Sequence, residues 1–184
     1  DKNTLVIAIS QSGETMDTLM ALRYAKSKGA KILSVCNTNG STIARESDSV
    51  LYTHAGPEIA VASTKAFATQ LVAMYLIGIE IARNLKTLKK EELDLICDEL
   101  STLPGKVEQI LETVEPLRET TRKFKSATSV LFLGRDVGYP TALEGALKLK
   151  ELAYMHAEGF AGGELKHGPI ALIDEGTPVV AVMP

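Results

Sequence analysis

Short apolar runs alternate with helical stretches along this chain, and that order limits the possible folds more than any other feature. Runs rich in β-branched and aliphatic residues predict buried parallel strands at 5–9, 31–36, 49–53, 130–133 and 179–182. Between them, apolar residues at helical spacing predict helices at 15–28, 41–46, 63–83 and 139–156. Gly29 is expected to end the first helix and Ser41 to cap the second. This alternation predicts an α/β fold with parallel sheets.

The segment from 86 to 126 has a different character and divides the chain into three parts. It is densely charged, its apolar residues follow a helical period, and Pro104 and Pro116 interrupt it. We expect two or three amphipathic helices here, connecting one α/β unit at 1–85 to another at 127–184. Because the chain opens and closes close to predicted strands, we also expect it to be a segment of a longer protein.

The longest predicted helix, 63–83, is apolar on most of its surface, so we expect it to be largely buried. Its most apolar stretch, 71–79, is too short to cross a bilayer. The whole chain of 184 residues has a formal net charge of −3 and no basic stripe. These features argue against nucleic-acid and membrane partners. An anionic ligand would have to be attracted by local groups.

The two cysteines, Cys36 and Cys97, are spaced neither for a metal site nor for a disulfide framework. Both lie among apolar residues, which predicts that they are buried free thiols. Free thiols favour a cytoplasmic protein.

A hydroxyl-rich turn with the sequence SQSGET, residues 10–15, joins the first strand to the first helix. Ligands gather at the carboxyl ends of parallel strands, and a helix N-terminus offers unpaired N–H groups with a partial positive charge. The hydroxyls of Ser10, Ser12 and Thr15 add donors, and Gly13 lets the backbone approach a ligand. The pattern favours a phosphate site, although Ser12 or Thr15 could instead merely cap the helix. The turn is neither a Walker A motif nor G-x-G-x-x-G, which disfavours a nucleotide.

Charged residues in the predicted helix at 139–156 form a single stripe. Glu144, Lys148 and Glu151 are spaced so that they lie on one face of that helix. The rest of the helix is mostly alanine, leucine and glycine, so the stripe predicts either a buried ion pair or a functional site. His167, in the glycine-rich loop that follows, is either a solvated residue or part of a site.

Four segments carry a family resemblance, and they occur in the order SQSGET, ASTKAF, ALEGALKLKE and ELKHGP. Together they resemble the isomerase domain of the glutamine–fructose-6-phosphate aminotransferase family, within the sugar isomerase (SIS) superfamily. The resemblance implies two flavodoxin-like SIS subdomains with parallel sheets, joined by a helical connection. It also implies that both are truncated, the first lacking its opening strand and the second incomplete at its C-terminal end.

The resemblance further implies a role for each residue that matches the family's motifs. The residues implied to bind substrate are Ser10, Gln11, Ser12 and Thr15 for the phosphate, and Val61 and Ser63 for the sugar. Glu151 is implied to be the general base that moves a proton between C1 and C2, and Lys148 to assist it near the sugar hydroxyls. His167 is implied to assist ring opening from the partner subunit, so the family resemblance implies a homodimer. This chemistry needs neither a metal nor another cofactor.

Parts of that family's machinery are not among these residues. The resemblance implies a glutaminase domain in the full-length protein, and neither Cys36 nor Cys97 can take the role of its catalytic cysteine. It also implies a Schiff-base lysine and a substrate-contacting serine that lie outside this chain. Two alternatives stay open: a non-catalytic phosphosugar sensor with the same fold, and an isomerase or deglycase for another ketose phosphate.

Overall fold

The computed structural model describes residues 1–183, and the chain divides into two compact units, Asp1–Leu103 and Pro104–Pro184. Each unit contains a three-stranded parallel sheet. The predicted α/β class with two parallel sheets is therefore confirmed. The predicted limits of a connecting segment, 86 and 126, stay a prediction.

In the first unit, strands and helices alternate in the predicted order. The elements are β1 (Leu5–Ser10), α1 (Met16–Ser27), β2 (Lys31–Cys36), α2 (Thr42–Glu46), β3 (Ser49–Tyr52) and α3 (Lys65–Leu85). The strand order is β1-β2-β3, and the register pairs Ser10 with Cys36 and Cys36 with Tyr52. Because these three residues end their strands, the carboxyl ends of all three strands meet at one edge of the sheet.

Helices cover both faces of this sheet. Alternate side chains of a strand point to opposite faces, so Ile32 and Val35 of β2 enter different layers. Ile32 packs with Leu22 of α1 and with Ile43, and all three side chains are buried. Val35 packs with Ile77 of α3 on the other face. Each large aliphatic side chain buried in this way contributes about 1.5–3 kcal/mol to folding.

Helix α1 ends at the predicted glycine. Gly29 has a φ of +85°, and its N–H donates to the carbonyl of Lys26 at 2.9 Å. The N–H of Ala30 donates to the carbonyl of Ala25 at 3.1 Å. This pair of bonds is the Schellman arrangement, in which a left-handed residue closes the last turn of a helix.

The prediction that the long apolar helix is largely buried is wrong for the described unit. Helix α3 begins at Lys65 and ends at Leu85, and Leu71, Tyr75 and Leu76 are exposed. One sheet can cover only one side of a helix, and it covers the side of α3 that bears Ala73 and Ile77. The other side borders an apolar groove of about 400 Å³ that it shares with the following residues 88–96.

Helix α3 is longer than its most apolar stretch, which was judged too short to cross a bilayer. By length and composition alone, its 21 residues suffice to cross a membrane, although the stretch 71–79 does not. A core helix of a water-soluble protein passes the same test, and Val35 packs against α3 here.

Two helices follow α3, within the predicted number of two or three. They are α4 (Lys90–Glu112) and α5 (Val114–Arg122). Pro104 lies inside α4 and does not end it, contrary to the prediction. Its neighbours are exposed, so water can bond the carbonyl that loses its helical partner. Pro116 lies in the first turn of α5, where backbone N–H groups have no helical partner in any case.

In the second unit, the structure adds a strand that the sequence pattern did not predict. The elements are β4 (Ser129–Gly134), α6 (Gly138–Ala153), β5 (His156–Ala161), two 3-10 turns (Gly162–His167 and Pro169–Leu172) and β6 (Val179–Val182). Helix α6 ends at Ala153 because Tyr154 is left-handed, with a φ of 55°. His156, which was predicted to end the helix, begins β5 instead. The sequence HAEGFA has little intrinsic strand preference, and pairing along β4 holds it extended.

The sheet of the second unit has the order β5-β4-β6, and α6 lies close against it. A Cβ on Gly145 of α6 would lie 2.8 Å from the ring of Phe132. A Cβ on Gly159 of β5 would lie 2.8 Å from the side chain of Leu143. These two glycines set the spacing of helix and sheet, and therefore the position of the charged stripe on α6.

Candidate functional site

The hydroxyl-rich turn leaves the first sheet at the carboxyl end of β1. The buried Oγ of Ser10 accepts the N–H of Gly13 at 3.0 Å and lies 3.0 Å from Oγ1 of Thr15. The exposed Ser12 accepts the N–H of Glu14 at 3.2 Å. The structure thus brings the three predicted hydroxyls into one turn, with Ser12 facing solvent.

Helix α1 starts without a side-chain cap. Thr15 occupies the N-cap position, but its side chain makes no capping hydrogen bond. Its hydroxyl meets Ser10 instead, and Ser12 bonds Glu14, which precedes the helix. The alternative that Ser12 or Thr15 merely caps α1 is therefore wrong. Uncapped N–H groups in the first turn of a helix are suited to holding an anion.

Gly13 is required at its position for two reasons. Its φ of +67° is in the left-handed region, which is strained for residues with a Cβ. A Cβ there would also lie 1.9 Å from Oγ of Ser41. The turn and the start of α2 are therefore in direct contact at Gly13.

The cap of helix α2 comes from the turn and not from Ser41. Ser41 occupies the N-cap position as predicted, but its Oγ is buried and makes no capping hydrogen bond to the helix. Oε1 of Glu14 accepts the N–H of Thr42 at 2.7 Å in its place. Hydrogen bonds from the side chain and backbone of Thr42 lower the pKa of Glu14, so this carboxyl is ionised at neutral pH.

A further set of bonds ties the turn to the loops after β2 and β3. The carbonyl of Gln11 accepts the N–H groups of Asn37 and Thr38 at 3.2 and 3.3 Å. Oδ1 of Asn37 accepts the N–H of Ala55 at 2.9 Å, and its Nδ2 donates to the carbonyl of Gly56 at 2.7 Å. Gln11, a predicted phosphate ligand, is thus held through its backbone, and its half-buried side chain is not needed for that contact.

The two residues predicted to line the sugar lie in the segment before α3. Val61 is 98% exposed, and Ser63 is half-buried. Helix α3 begins at Lys65, with Thr64 at the N-cap position and no side-chain cap. The predicted contacts of Val61 and Ser63 with a sugar stay a prediction.

In the second unit, the charged stripe on α6 forms one ion-pair cluster. Nζ of Lys148 lies 2.5 Å from Oε2 of Glu151 and 3.3 Å from Oε1 of Glu144. The three side chains are between 20 and 30% exposed. The alternative of a structural pair between Glu144 and Lys148 is therefore realised, but Lys148 makes the shorter contact with Glu151.

The cluster keeps Lys148 charged. Burial is the largest single influence on its pKa and lowers it, but hydrogen bonds to Glu151 and Glu144 act in the opposite direction and together prevail. The pKa of Lys148 is therefore raised, and at neutral pH this side chain is a cation that can donate but cannot accept a proton. An ammonium between two carboxylates can orient them and stabilise negative charge on a ligand oxygen.

His167 lies apart from that helix in the sequence and ends the first 3-10 turn. Its side chain is exposed. Gly168 follows with a φ of +143°, and a Cβ on it would meet nothing within 4 Å. The glycine therefore serves the backbone turn that presents His167, and the role of His167 in a site stays a prediction.

Cys36 is buried as predicted, whereas Cys97 is only half-buried, and both are free. Burial raises the pKa of the Cys36 thiol, which keeps it neutral and unreactive. Among residues 1–183, no group of three or more His, Cys, Asp or Glu side chains is arranged to hold a metal ion.

Sequence reasoning missed how three residues shape the turn: Glu14, Asn37 and Ser41. One available signal pointed to Asn37, since it directly follows β2 at the edge where ligands gather. No spacing rule connects Glu14 with Thr42, which are 28 residues apart. That contact depends on how the loops fold together.

The chain is similar to known proteins along its whole length. Residues 1–79 and 123–184 match the family model of the SIS domain. The chain is 64% identical to the glutamine–fructose-6-phosphate aminotransferase (isomerizing) of Streptomyces coelicolor and 61% identical to that of Corynebacterium diphtheriae, covering 100% of this chain in each case. It spans 30% of the length of these curated relatives.

A solved structure shows the same arrangement of elements. The C-terminal domain of glucosamine-fructose-6-phosphate aminotransferase from Francisella tularensis superposes with a TM-score of 0.96 at 44% sequence identity. The match covers 98% of this chain and 51% of that chain.

Proposed function

This chain belongs to the SIS domain family, and on that premise we propose that it is the phosphosugar isomerase module of a glutamine–fructose-6-phosphate aminotransferase (isomerizing). In this proposal the module binds fructose 6-phosphate or glucosamine 6-phosphate and interconverts ketose and aldose. The full-length protein supplies a glutaminase domain, a Schiff-base lysine and a substrate-contacting serine. The proposed setting is hexosamine biosynthesis in the cytoplasm.

The observation that carries the proposal is the uncapped start of α1 beneath a cluster of hydroxyls. Ser10 and Thr15 share a hydrogen bond, and the side chain of Thr15 makes no capping bond to the helix that it precedes. A phosphate here would receive N–H groups from the helix and hydroxyls from Ser10, Ser12 and Thr15. The side-chain amide of Gln11 is the fourth proposed ligand. This arrangement can hold a dianion without a lysine in the turn, which suits a chain with a net charge of −3.

The proposed chemistry is transfer of one proton between adjacent carbons. Glu151 takes the proton from C1 of the open-chain ketose or its imine, an enediol or enolamine forms, and the same carboxyl returns the proton to C2. Lys148 lies against the base and donates to the sugar oxygens on which negative charge develops. Val61 and Ser63 are proposed to line the sugar.

Ring opening is proposed to precede proton transfer. Fructose 6-phosphate is mostly cyclic, and opening the ring moves a proton from the anomeric hydroxyl to the ring oxygen. His167 is proposed to carry that proton, because imidazole exchanges protons near neutral pH. We propose that His167 reaches the site from a partner subunit, so that the working unit is a homodimer.

Direct binding tests the phosphate site. Calorimetric titration of the full-length protein with fructose 6-phosphate should give binding, and titration with fructose under the same conditions should give none. Ser12→Ala should weaken binding of the phosphosugar. Equal affinity for fructose and its phosphate, or an unchanged affinity after Ser12→Ala, would overturn the assignment of the turn.

Mixed dimers test the position of His167. Glu151→Gln and His167→Ala variants of the full-length protein should each be inactive. If His167 acts across the interface, mixing the two after dissociation gives hybrid dimers with one intact site, and activity returns to about a quarter of the wild type. If His167 acts within its own subunit, every site in every dimer stays defective and no activity returns.

Two other functions remain candidates, each with its own discriminating result. A non-catalytic phosphosugar sensor would bind fructose 6-phosphate but would show no exchange of the C1 and C2 protons with solvent. An isomerase or deglycase for another ketose phosphate would bind a different phosphosugar more tightly than fructose 6-phosphate. The cluster of Glu144, Lys148 and Glu151 favours catalysis over sensing, because a sensor needs no base beside the sugar.

A further inference from the structure

Glu14 places a negative charge within the proposed phosphate site. It is an exposed carboxylate in the middle of a turn that would hold a phosphate dianion, and hydrogen bonds lower its pKa so that it stays charged. A free carboxylate at this position would repel the ligand. The contacts of Glu14 show a different use for the charge.

The side chain and backbone of Glu14 connect two parts of the unit. Oε1 accepts the N–H of Thr42 at 2.7 Å, at the first residue of α2. The N–H of Glu14 donates to Oγ of Ser12 at 3.2 Å. One residue therefore links the start of α2 to the exposed hydroxyl of the turn.

The side chain of Ser41, the ordinary capping residue, does not cap α2. Ser41 occupies the N-cap position of α2, but its buried Oγ lies where a Cβ of Gly13 would be and makes no capping hydrogen bond to the helix. The N–H of Ile43 bonds the carbonyl of Gly13 at 2.9 Å. The turn thus supplies two acceptors to α2, from the carbonyl of Gly13 and the carboxylate of Glu14.

We propose that Glu14 is a positioning residue of the phosphate turn: by capping α2 it anchors the turn, holds the Ser12 hydroxyl in place and directs its own charge away from the ligand. This inference rests on the proposed function of the turn as a phosphosugar site. In this view the loop after β2 and the helix α2 contribute to phosphate binding without touching the ligand. A pre-arranged turn loses less conformational entropy when the phosphate binds.

The sign of the effect on affinity separates this role from simple electrostatics. If Glu14 were only a charge near the ligand, Glu14→Ala would strengthen binding of fructose 6-phosphate. A positioning residue predicts the opposite, and we expect Glu14→Ala to weaken binding by about tenfold, the scale of losing one charge-assisted hydrogen bond. Glu14→Gln keeps an oxygen for the N–H of Thr42 and should restore most of the affinity.

A matched control removes a neighbouring charge without touching α2. Asp17 lies in the first turn of α1, and Asp17→Ala should leave binding unchanged or slightly tighter. Thr42→Pro removes the N–H that Glu14 accepts while keeping α2, since proline is accepted at the first position of a helix. The preceding Ser41 already has the extended conformation that proline requires, with a φ of −63° and a ψ of 162°.

The experiment is calorimetric titration of the full-length protein and these variants with fructose 6-phosphate, with fructose as the reference ligand. The expected result is weaker binding for Glu14→Ala and Thr42→Pro, recovery for Glu14→Gln, and no further loss when Glu14→Ala is added to Thr42→Pro. Wild-type protein that binds the phosphosugar, together with a Glu14→Ala variant that binds equally or more tightly, would overturn the positioning role alone. Wild-type protein that does not distinguish the phosphosugar from fructose would overturn the proposed function, and this inference with it.

Discussion

Nζ of Lys148 lies 2.5 Å from Oε2 of Glu151, one turn apart on α6. The carboxylate of Glu151, the proposed base, therefore lies against the ammonium of Lys148, which stays charged at neutral pH. This contact orients the carboxylate before any substrate arrives. The second carboxylate, Glu144, lies 3.3 Å from the same ammonium and provides an internal comparison.

We expect Glu151→Gln to preserve phosphosugar binding and to abolish proton transfer. An amide keeps the shape of the side chain but cannot accept a proton, and positioned general bases commonly contribute about 10²–10⁴-fold to the rate. Deuterium incorporation at C1 and C2, followed by NMR in heavy water with the full-length protein, measures the effect. Glu144→Gln is the matched control and should retain most of the exchange. Exchange at the wild-type rate in Glu151→Gln would assign the base elsewhere.

Gly13→Ala should destabilise the first unit more than Gly40→Ala, although the two glycines have similar backbone geometry. Gly40 has a φ of +68°, close to the +67° of Gly13, but a Cβ there meets nothing within 4 Å. Gly40→Ala should cost only the left-handed strain of about 1–2 kcal/mol. Gly13→Ala adds the clash with Ser41, and overpacking of this kind costs about a further 1–3 kcal/mol. Urea unfolding of the two variants compares them, and equal loss would show that the loop relaxes freely.

Asn37→Ala should loosen the loop that follows β3. The side chain of Asn37 bonds the N–H of Ala55 and the carbonyl of Gly56, and each such bond contributes about 0.5–1.5 kcal/mol. We expect faster hydrogen exchange at the amide of Ala55, measured by NMR. Asn39→Ala, at an exposed neighbouring position, should leave that amide unchanged. Protection of Ala55 that survives Asn37→Ala would mean that another group holds the loop.

The bond between Glu14 and Thr42 should weaken in acid. The pKa of Glu14 is lowered in the folded protein, so its stabilising effect is complete above the ordinary glutamate pKa of about 4.3 and is lost as the pH falls through the lower, folded value. Carbon NMR of the side-chain carboxyl should show titration below the ordinary range in the wild type. In Thr42→Pro the titration should move upward, because both the hydroxyl and the backbone N–H of Thr42 are gone. The same titration midpoint in both proteins would argue against the capping bond.

Local patterns were sufficient for most of the first unit. β2 has the predicted limits, α1 ends at Gly29, and the SQSGET turn lies at the end of β1, because short aliphatic runs and a left-handed glycine act through nearby residues. The spacing of Glu144, Lys148 and Glu151 also predicted their shared face, since helical geometry alone determines it.

Other features depend on residues far apart in the chain and were not predictable from local patterns. β5 has a sequence with little strand preference and is extended because it pairs with β4. The exposed side of α3 could not be inferred from its composition, because burial depends on which elements cover a helix.

The sequence by itself determined the hydroxyls of the SQSGET turn, Gly13 and the charged stripe on α6. The first two follow from residue type alone, and the stripe follows from the period of a helix. The tertiary structure alone decided that Glu14 rather than Ser41 caps α2. The physical reason is that a backbone N–H donates to whichever oxygen the packing brings within reach. Here the hydroxyl of Ser41 occupies the space that a Cβ of Gly13 would fill, and the carboxylate of Glu14 reaches the N–H of Thr42 instead.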